Sequence, residues 1–179
     1  DSVASRGLGD VYKRQIPDSK KLFTEGYFGK PIGISKPKPN EIDVPLILDL
    51  IEGHYLQLKS RIQIYKNKKK ISKERMLDIC RDEYHNFDKK FQVYKNFRDK
   101  GYIVNPGIKF GCDFAVYQKG PGIDHAPFLV QVYNRSESMS STDVVLAGRL
   151  ATSVKKQFIL AIPYGKERVD YLALDWWKA

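Results

Sequence analysis

Apolar residues change their spacing along the chain near Gly101. Before this glycine, apolar side chains recur every three to four residues in the longer segments, which is the period of an amphipathic helix. After it they alternate with polar side chains, which is the period of a half-buried strand. The pattern predicts an α+β fold with two parts. These are a small N-terminal α+β domain, residues 16–86, and a mixed α/β domain, residues 87–179, with a central sheet and flanking helices.

The segment after residue 21 gives two local expectations. Short apolar pieces separated by Gly, Pro and Lys predict brief strands joined by turns over residues 22–38. Asp43 comes two residues before Pro45, a pairing typical of a helix start. Residues 45–58 are therefore expected to form a helix.

Two further helices are expected to begin at Ser72 and at Asp88, because hydroxyl and carboxylate side chains cap helix N-termini. Gly101 is placed to end the second of these helices in a left-handed conformation. The basic stretch Lys66–Lys70 is expected to be a turn. The buried stripe of the helix after Asp88 is predicted to contain Phe91, Tyr94 and Phe97.

The C-terminal half is expected to form five strands and one more helix. A helix capped by Ser141 or Thr142 is predicted to run to about Lys156. Alternation places Phe114 and Val116 on the apolar face of a strand that ends at Tyr117, with Tyr117 on the other face. The strands are predicted at residues 102–104, 113–117, 128–133, 158–162 and 169–174.

The composition favours a polyanionic partner. The chain has 179 residues, a formal net charge of +10 and 12% aromatic residues. A charge of this size on so small a protein is typical of nucleic-acid binding, because the phosphate backbone attracts cations. A basic surface that is only solvated is the alternative.

Several other classes of protein are not expected. No stretch approaches the roughly 20 apolar residues that span a bilayer, and the N-terminus lacks the apolar core of a signal peptide. Cys80 and Cys112 do not make a disulfide framework, and the histidines are too scattered for a structural zinc site. We therefore expect a cytoplasmic protein. Residues 1–15 carry no hydrophobic period and are interpreted as a non-native or disordered tail.

Four residues of the C-terminal half are candidates for chemistry. Tyr117 ends a strand, where ligand-binding loops begin, although a single tyrosine there is more often structural. His125 lies in a loop between glycines and prolines, and an imidazole exchanges protons near neutral pH. Lys156 ends the last predicted helix, where the helix dipole alone favours a cation, and Arg149 shares its helical face. None of these positions is specific by itself.

Taken together, these segments resemble the catalytic domain of the archaeal and eukaryotic tRNA-splicing endonuclease family. The run KFG-x-DF-x-x-Y, then a loop histidine, then VKK before an apolar strand, is a specific combination. The N-terminal part is similar more weakly, through GYFGK and the expected helix at 45–56. The matching segments are FQVYKNFRDKG (91–101), YIVNPGIKFGCDFAVY (102–117), GPGIDHAPFLVQVY (120–133) and AGRLATSVKKQFILAI (147–162).

The resemblance assigns residues position by position. The catalytic tyrosine, histidine and lysine of the family fall on Tyr117, His125 and Lys156, with Lys155 the second choice for the lysine. The family also holds a base of the RNA between an arginine and a second flat or cationic side chain. The matching RNA-binding residues are Arg149 and Trp176, with Trp177 a possible substitute.

The family's reaction implies a specific chemistry for this chain. Members cleave precursor tRNA at bulge-helix-bulge junctions and leave a 2′,3′-cyclic phosphate and a 5′-hydroxyl. The 2′-hydroxyl is the internal nucleophile, so the resemblance implies no metal and no cofactor. His125 is expected to be the general acid, Lys156 to offset charge on the phosphorane, and Tyr117 to orient or deprotonate the 2′-hydroxyl.

Assembly and role leave alternatives open. Family members that form homotetramers use an acidic loop between the last strands, whereas this chain reads YGKERVD (164–170) there. A second endonuclease subunit, giving a heterotetramer, is therefore expected, with self-association through other contacts as the alternative. Precursor tRNA is the other expected partner. A non-catalytic RNA-binding or structural subunit of the same complex, or a generic basic RNA-binding domain, are the competing functions.

Overall fold

A computed structural model describes residues 16–34, 37, 42–123, 128–153 and 156–174, without the side chains of residues 16, 17, 151 and 153. Its contacts divide the chain into two compact units, residues 1–87 and 88–179. Both units combine helices with strands, so the predicted α+β class is confirmed. None of the described helices is long and apolar enough to cross a membrane.

The described residues of the first unit form three helices and two pairs of short antiparallel strands. The strands pair β1 with β2 and β3 with β4. The elements, in chain order, are α1 (Ile16–Gly26), β1 (Lys30–Pro31), β2 (Leu46–Ile47), α2 (Leu50–Leu58), β3 (Ile64–Lys66), β4 (Lys69–Ile71) and α3 (Lys73–Glu83).

The segment predicted as brief strands is mostly not strand. Residues 22–26 belong to α1, and of the described residues that follow, up to residue 38, only the two of β1 form a strand. Ser19, Leu22 and Phe23 are all at most 3% exposed, which is the one-sided burial of a helix. The helical spacing of buried residues begins within residues 16–21, ahead of the segment for which strands were predicted.

The expected helix at 45–58 begins five residues later than predicted. Leu46 and Ile47 form β2, and α2 begins at Leu50. Asp49 caps it: its carboxylate accepts the Ile51 N–H at 3.0 Å, and the Glu52 carboxylate accepts the Asp49 N–H at 3.0 Å. This reciprocal capping box at Asp49, rather than the Asp43–Pro45 pair, sets the start of the helix.

The basic stretch Lys66–Lys70 is a hairpin rather than a turn alone. The turn itself is Asn67–Lys68, and both residues have positive φ, 50° and 62°. Two such residues in a row close a two-residue hairpin, here between β3 and β4. Ser72 caps α3 as predicted, because its Oγ accepts the Arg75 N–H at 3.2 Å.

The second unit contains a five-stranded sheet in the order β5-β6-β7-β8-β9. All neighbouring strands are antiparallel except β7 and β8, which are parallel and joined through α5. The five predicted strands are confirmed, with shifted ends. The elements are α4 (Phe87–Asp99), β5 (Ile103–Pro106), β6 (Phe114–Tyr117), β7 (Phe128–Val132), α5 (Ser141–Ser153), β8 (Gln157–Tyr164) and β9 (Arg168–Leu174), with a 3-10 turn at Ile108–Phe110.

Helix α4 packs on one face of this sheet and ends as predicted. Gly101 has φ 89°, its N–H donates to Arg98 O at 3.0 Å, and the Tyr102 N–H donates to Phe97 O at 3.1 Å. These two bonds form a Schellman motif, which requires the left-handed glycine. Tyr94 is 1% exposed and lies 5.9 Å, ring to ring, from Phe114 of β6. Of the predicted stripe, Tyr94 and Phe97 are buried, and Phe91 is half-buried.

Candidate active site

The register of three strands brings two of the candidate residues to the same end of the sheet. Val116 pairs with Phe128 and Phe128 pairs with Gln157, so these positions form one row across β6, β7 and β8. Tyr117 follows Val116, and Lys156 precedes Gln157, so both occupy the next row outward. One strand lies between them, and since neighbouring strands are about 4.8 Å apart their backbones are about 10 Å apart.

Tyr117 and Lys156 also share a face of the sheet. Two rows inward, on the same face, Ala115, Leu129 and Phe158 belong to a buried cluster with Ala147 of α5. Tyr117 is half-buried and packs against this cluster. Lys156 stands two residues before Phe158, the spacing that returns a side chain to the same face of a strand.

The prediction for the Tyr117 face of β6 is wrong, because that face is apolar as well. Phe114, Ala115 and Val116 are each at most 2% exposed, so helices cover the strand on both sides. Asp113 made this face appear polar in the sequence. The negative charge of its carboxylate is compensated, since one oxygen lies 2.7 Å from Lys90 Nζ and the other accepts the Val132 N–H at 2.8 Å.

A glycine-dependent loop between β5 and β6 supplies the ring against which Lys156 lies. Gly107 O accepts the N–H of Phe110 at 2.8 Å and of Cys112 at 3.3 Å. A Cβ at Gly107 would lie 2.6 Å from both Cys112 O and Cys112 Sγ, so any larger residue would force the loop open. Gly111, with φ 68°, ends the 3-10 turn in the left-handed conformation that favours glycine.

Phe110, at the end of that turn, connects Lys156 to the buried cluster. Its ring packs against the cluster under α5, and Lys156 Nζ lies 5.6 Å from the ring centroid. Lys109 Nζ lies 5.9 Å from the same centroid. An ammonium group this close to an aromatic ring is attracted by the ring's electrons. Two cations, Lys109 and Lys156, therefore lie beside one ring, which belongs to the loop that leads into β6.

Neither of the two cysteine thiols is activated for nucleophilic chemistry. Burial raises the pKa of the Cys112 thiol to about 11 and of the Cys80 thiol to about 12. Both thiols therefore stay protonated near neutral pH, and a protonated thiol is neither a nucleophile nor a metal ligand. Among the residues that the structure describes, no group of three His, Cys, Asp or Glu side chains is placed to hold a metal ion.

Of the other candidate residues, the structure describes only Arg149. His125, Lys155, Trp176 and Trp177 lie outside the described residues. Arg149 is exposed on α5, and within the described part of the chain no contact joins it to Tyr117 or Lys156.

Helix α5 differs from its prediction at both ends. Ser140, not Ser141 or Thr142, caps it, because Ser140 Oγ accepts the Asp143 N–H at 3.1 Å and Asp143 accepts the Ser140 N–H at 3.0 Å. The helix ends at Ser153, so Lys156 is not a helical residue. Lys156 directly precedes β8, so it does not share the predicted helical face with Arg149.

Sequence reasoning assigned no role to Phe110 or Lys109. Both fall in the KFG run, residues 109–111, that carries part of the resemblance. A glycine after an aromatic residue signals a left-handed turn. That signal could have placed the loop, but the contact between Phe110 and Lys156 joins positions 46 residues apart in the sequence and needed the fold.

Comparisons with known proteins match both halves of the chain. The family described as tRNA intron endonuclease, catalytic C-terminal domain, matches residues 87–171. The family described as tRNA intron endonuclease, N-terminal domain, matches residues 9–77, so its match begins inside the segment interpreted as a tail.

Individual relatives are similar over nearly their whole length. A tRNA-splicing endonuclease from Sulfurisphaera tokodaii is 41% identical over 178 residues, which cover 96% of this chain and 99% of the relative. The enzyme of the same name from Hyperthermus butylicus is 39% identical, covering 94% and 93%. That from Pyrobaculum islandicum is 42% identical over 160 residues, 87% of each chain.

Proposed function

Since the chain belongs to the tRNA intron endonuclease family, we propose that it is a catalytic subunit that cleaves precursor tRNA at intron–exon junctions. The observation that carries the catalytic role is the position of Tyr117 and Lys156. Both lie in one row, on one face, at one end of the sheet. A structural subunit that lacked catalysis would have no need of a phenol and an ammonium group in this arrangement.

The substrate proposed is a bulge-helix-bulge junction, and the products are a 2′,3′-cyclic phosphate and a 5′-hydroxyl. In this reaction the 2′-oxygen forms a new bond to phosphorus while the bond from phosphorus to the 5′-oxygen breaks. The nucleophile belongs to the RNA itself, so the step needs no metal-bound water. Holding the 2′-oxygen in line with the leaving oxygen is a proximity effect.

Each catalytic residue has a proposed part in this step. Lys156 offsets the additional negative charge on the pentacoordinate phosphorus, and Phe110 fixes its ammonium group. His125 donates a proton to the departing 5′-oxygen. Tyr117 receives the proton of the 2′-hydroxyl when its phenol is ionised, and otherwise orients that hydroxyl while a water molecule receives the proton. Since an ordinary phenol is only about 0.1% ionised at pH 7, orientation is the larger part of that role.

RNA recognition is proposed to use unstacked bases. Bases in a bulge are free to stack on guanidinium groups and aromatic rings, and each stacked base contributes about 1–3 kcal/mol. Arg149, exposed on α5, and Trp176 are the proposed stacking residues.

Cleavage in the presence of a chelator tests this function directly. We expect the enzyme to cut a bulge-helix-bulge RNA in excess EDTA and to leave a 2′,3′-cyclic phosphate, identified by its resistance to ligation until the cyclic phosphate is opened. A rate that recovers only on adding Mg²⁺ would contradict the proposed mechanism. Tight binding of the RNA without cleavage would support the non-catalytic subunit instead.

Assembly with a second subunit is proposed from the turn between β8 and β9. Residues 164–170 carry two cations, Lys166 and Arg168, beside two carboxylates, Glu167 and Asp170, so this segment is not a predominantly acidic docking loop. A separate subunit would then supply the acidic loop of a heterotetramer. We expect the native mass of the chain purified alone to be that of a monomer or dimer, and a homotetramer of this chain would exclude the proposal.

A further inference from the structure

The β3–β4 hairpin of the first unit carries cations that the proposed cleavage chemistry does not use. Its outward end holds four lysines around the tight Asn67–Lys68 turn: Lys66, Lys68, Lys69 and Lys70. Within the described residues, no carboxylate forms an ion pair with any of them.

The hairpin is held firmly at its base. Ile64 and Ile71 pair across the two strands and are 0% and 7% exposed. The buried side chain of Gln57, on α2, donates from Nε2 to Ile71 O at 2.9 Å. The lysines therefore project from a fixed support, and ordering them costs less entropy than ordering a mobile basic tail.

A cavity of about 490 Å³ lies between this hairpin and the first turns of α3. Its cations are Lys66, Lys69, Lys70 and Arg75, its floor includes the buried side chain of Ile79, and none of its lining residues is acidic. Glu74, near the start of α3, does not line the cavity; hydrogen bonds from its own backbone N–H and from Ser72 lower its pKa, so it keeps its negative charge, which the four cations of the lining outnumber. The surface facing the cavity is therefore a concave, cationic one.

We propose that this hairpin surface, Lys66–Lys70 with Arg75, binds the phosphodiester backbone of the precursor tRNA away from the cleavage junction. The proposal rests on the function proposed above. Neutralising phosphates releases the counterions of the RNA, which is the main source of affinity for a cluster of lysines. The surface would thus add affinity for the body of the tRNA that a short junction RNA does not receive.

An acidic protein is the competing occupant, and the composition of the surface argues against it. The centres of protein–protein interfaces are depleted in lysine and enriched in aromatic residues and methionine. Here the lining is dominated by lysines, and its apolar residues, Ile71 and Ile79, are already buried within the unit. RNA backbone fits such a surface better.

The test compares two triple variants of the assembled enzyme that remove the same charge. The hairpin variant is Lys66→Ala, Lys69→Ala, Lys70→Ala. The control is Lys20→Ala, Lys21→Ala, Lys30→Ala, which changes three exposed lysines of the same unit. Affinity for a precursor tRNA with a 2′-deoxy group at each scissile position is measured over a series of salt concentrations. We expect the slope of log K against log salt to fall by about two to three in the hairpin variant only.

A lysine-to-arginine triple at the same hairpin positions keeps the charge and should keep the salt dependence of the native enzyme. Cleavage of a short bulge-helix-bulge RNA should proceed at an unchanged rate in the hairpin variant, while KM for the whole precursor rises.

Three results would overturn the hairpin proposal. They are an unchanged affinity in the hairpin variant, an equal loss in the control, or unchanged RNA binding together with loss of the second subunit from the hairpin variant. Failure of the native enzyme to cleave either RNA would instead count against the proposed function.

Discussion

Lys156→Ala is expected to lower the rate of junction cleavage by about 10²- to 10³-fold while leaving the unfolding temperature nearly unchanged. Removing one donor that stabilises developing charge in a transition state costs about 3 kcal/mol, which corresponds to that loss. The side chain is half-buried, at the outer row of the sheet, and its ammonium group rests beside Phe110 rather than inside the cluster. Truncation therefore leaves no cavity in the core. Single-turnover cleavage and thermal unfolding measure the two quantities.

Two matched controls decide whether position 156 is special. Lys109→Ala removes the other ammonium group beside the Phe110 ring, and Lys155→Ala removes the preceding lysine in the sequence. Both should keep cleavage within about tenfold of the native rate, as expected for a cation that contacts only the RNA backbone. If Lys155→Ala is the damaging change and Lys156→Ala is not, the catalytic lysine has been assigned to the wrong residue.

A second comparison tests whether Phe110 holds the ammonium group in place. Phe110→Leu keeps an apolar side chain in the cluster but removes the ring face that attracts the cation. We expect Phe110→Leu to lower kcat with little change in KM, because Lys156 remains present but its ammonium group is held less firmly. An equal effect on binding and turnover would instead indicate a general disturbance of the loop.

Local signals in the sequence were sufficient where one segment determines its own structure. Gly101 ends α4 as predicted because a left-handed glycine after a helix acts within one turn. Ser72 caps α3 for the same reason. The start of α2 also has a local signal, because Asp49 is followed three residues later by Glu52, whereas Asp43 is followed by Leu46. No local pattern predicts the further contact of Glu52, whose carboxylate accepts the N–H of Gly29, 23 residues away.

The candidate site likewise combines features that the sequence predicts with features that only the fold determines. The residue types of Tyr117 and Lys156 follow from a resemblance in sequence, but their shared row follows from the pairing of β6, β7 and β8. That pairing joins Val116 to Phe128, 12 residues away, and Phe128 to Gln157, 29 residues away, and leaves no periodic signal in any one strand. The helical face proposed for Lys156 was wrong for this reason: a strand, not a helix, fixes where the lysine lies.

His125→Ala is expected to lower the cleavage rate by about 10²- to 10⁴-fold, the usual contribution of a general acid. The sign of the pH dependence follows from the role. An acid must carry its proton, and an imidazole has an ordinary pKa near 6.5, so the native rate should fall as pH rises above that range. The variant should lose this descending limb. His85→Ala, which changes an exposed histidine of the first unit, is the matched control and should retain both the rate and the profile.

A modified substrate separates acid catalysis from any other role of His125. Replacing the bridging 5′-oxygen at the scissile bond by sulfur gives a leaving group that departs as a thiolate and needs no proton. If His125 protonates the leaving oxygen, the variant and the native enzyme should cleave this RNA at nearly equal rates, although they differ greatly on the oxygen substrate. A variant that remains slow on the sulfur substrate would show that the imidazole positions the RNA or activates the 2′-hydroxyl. The role of general acid would then have to pass to another group, and the described candidates are Lys156 and Tyr117, which share one row of the sheet.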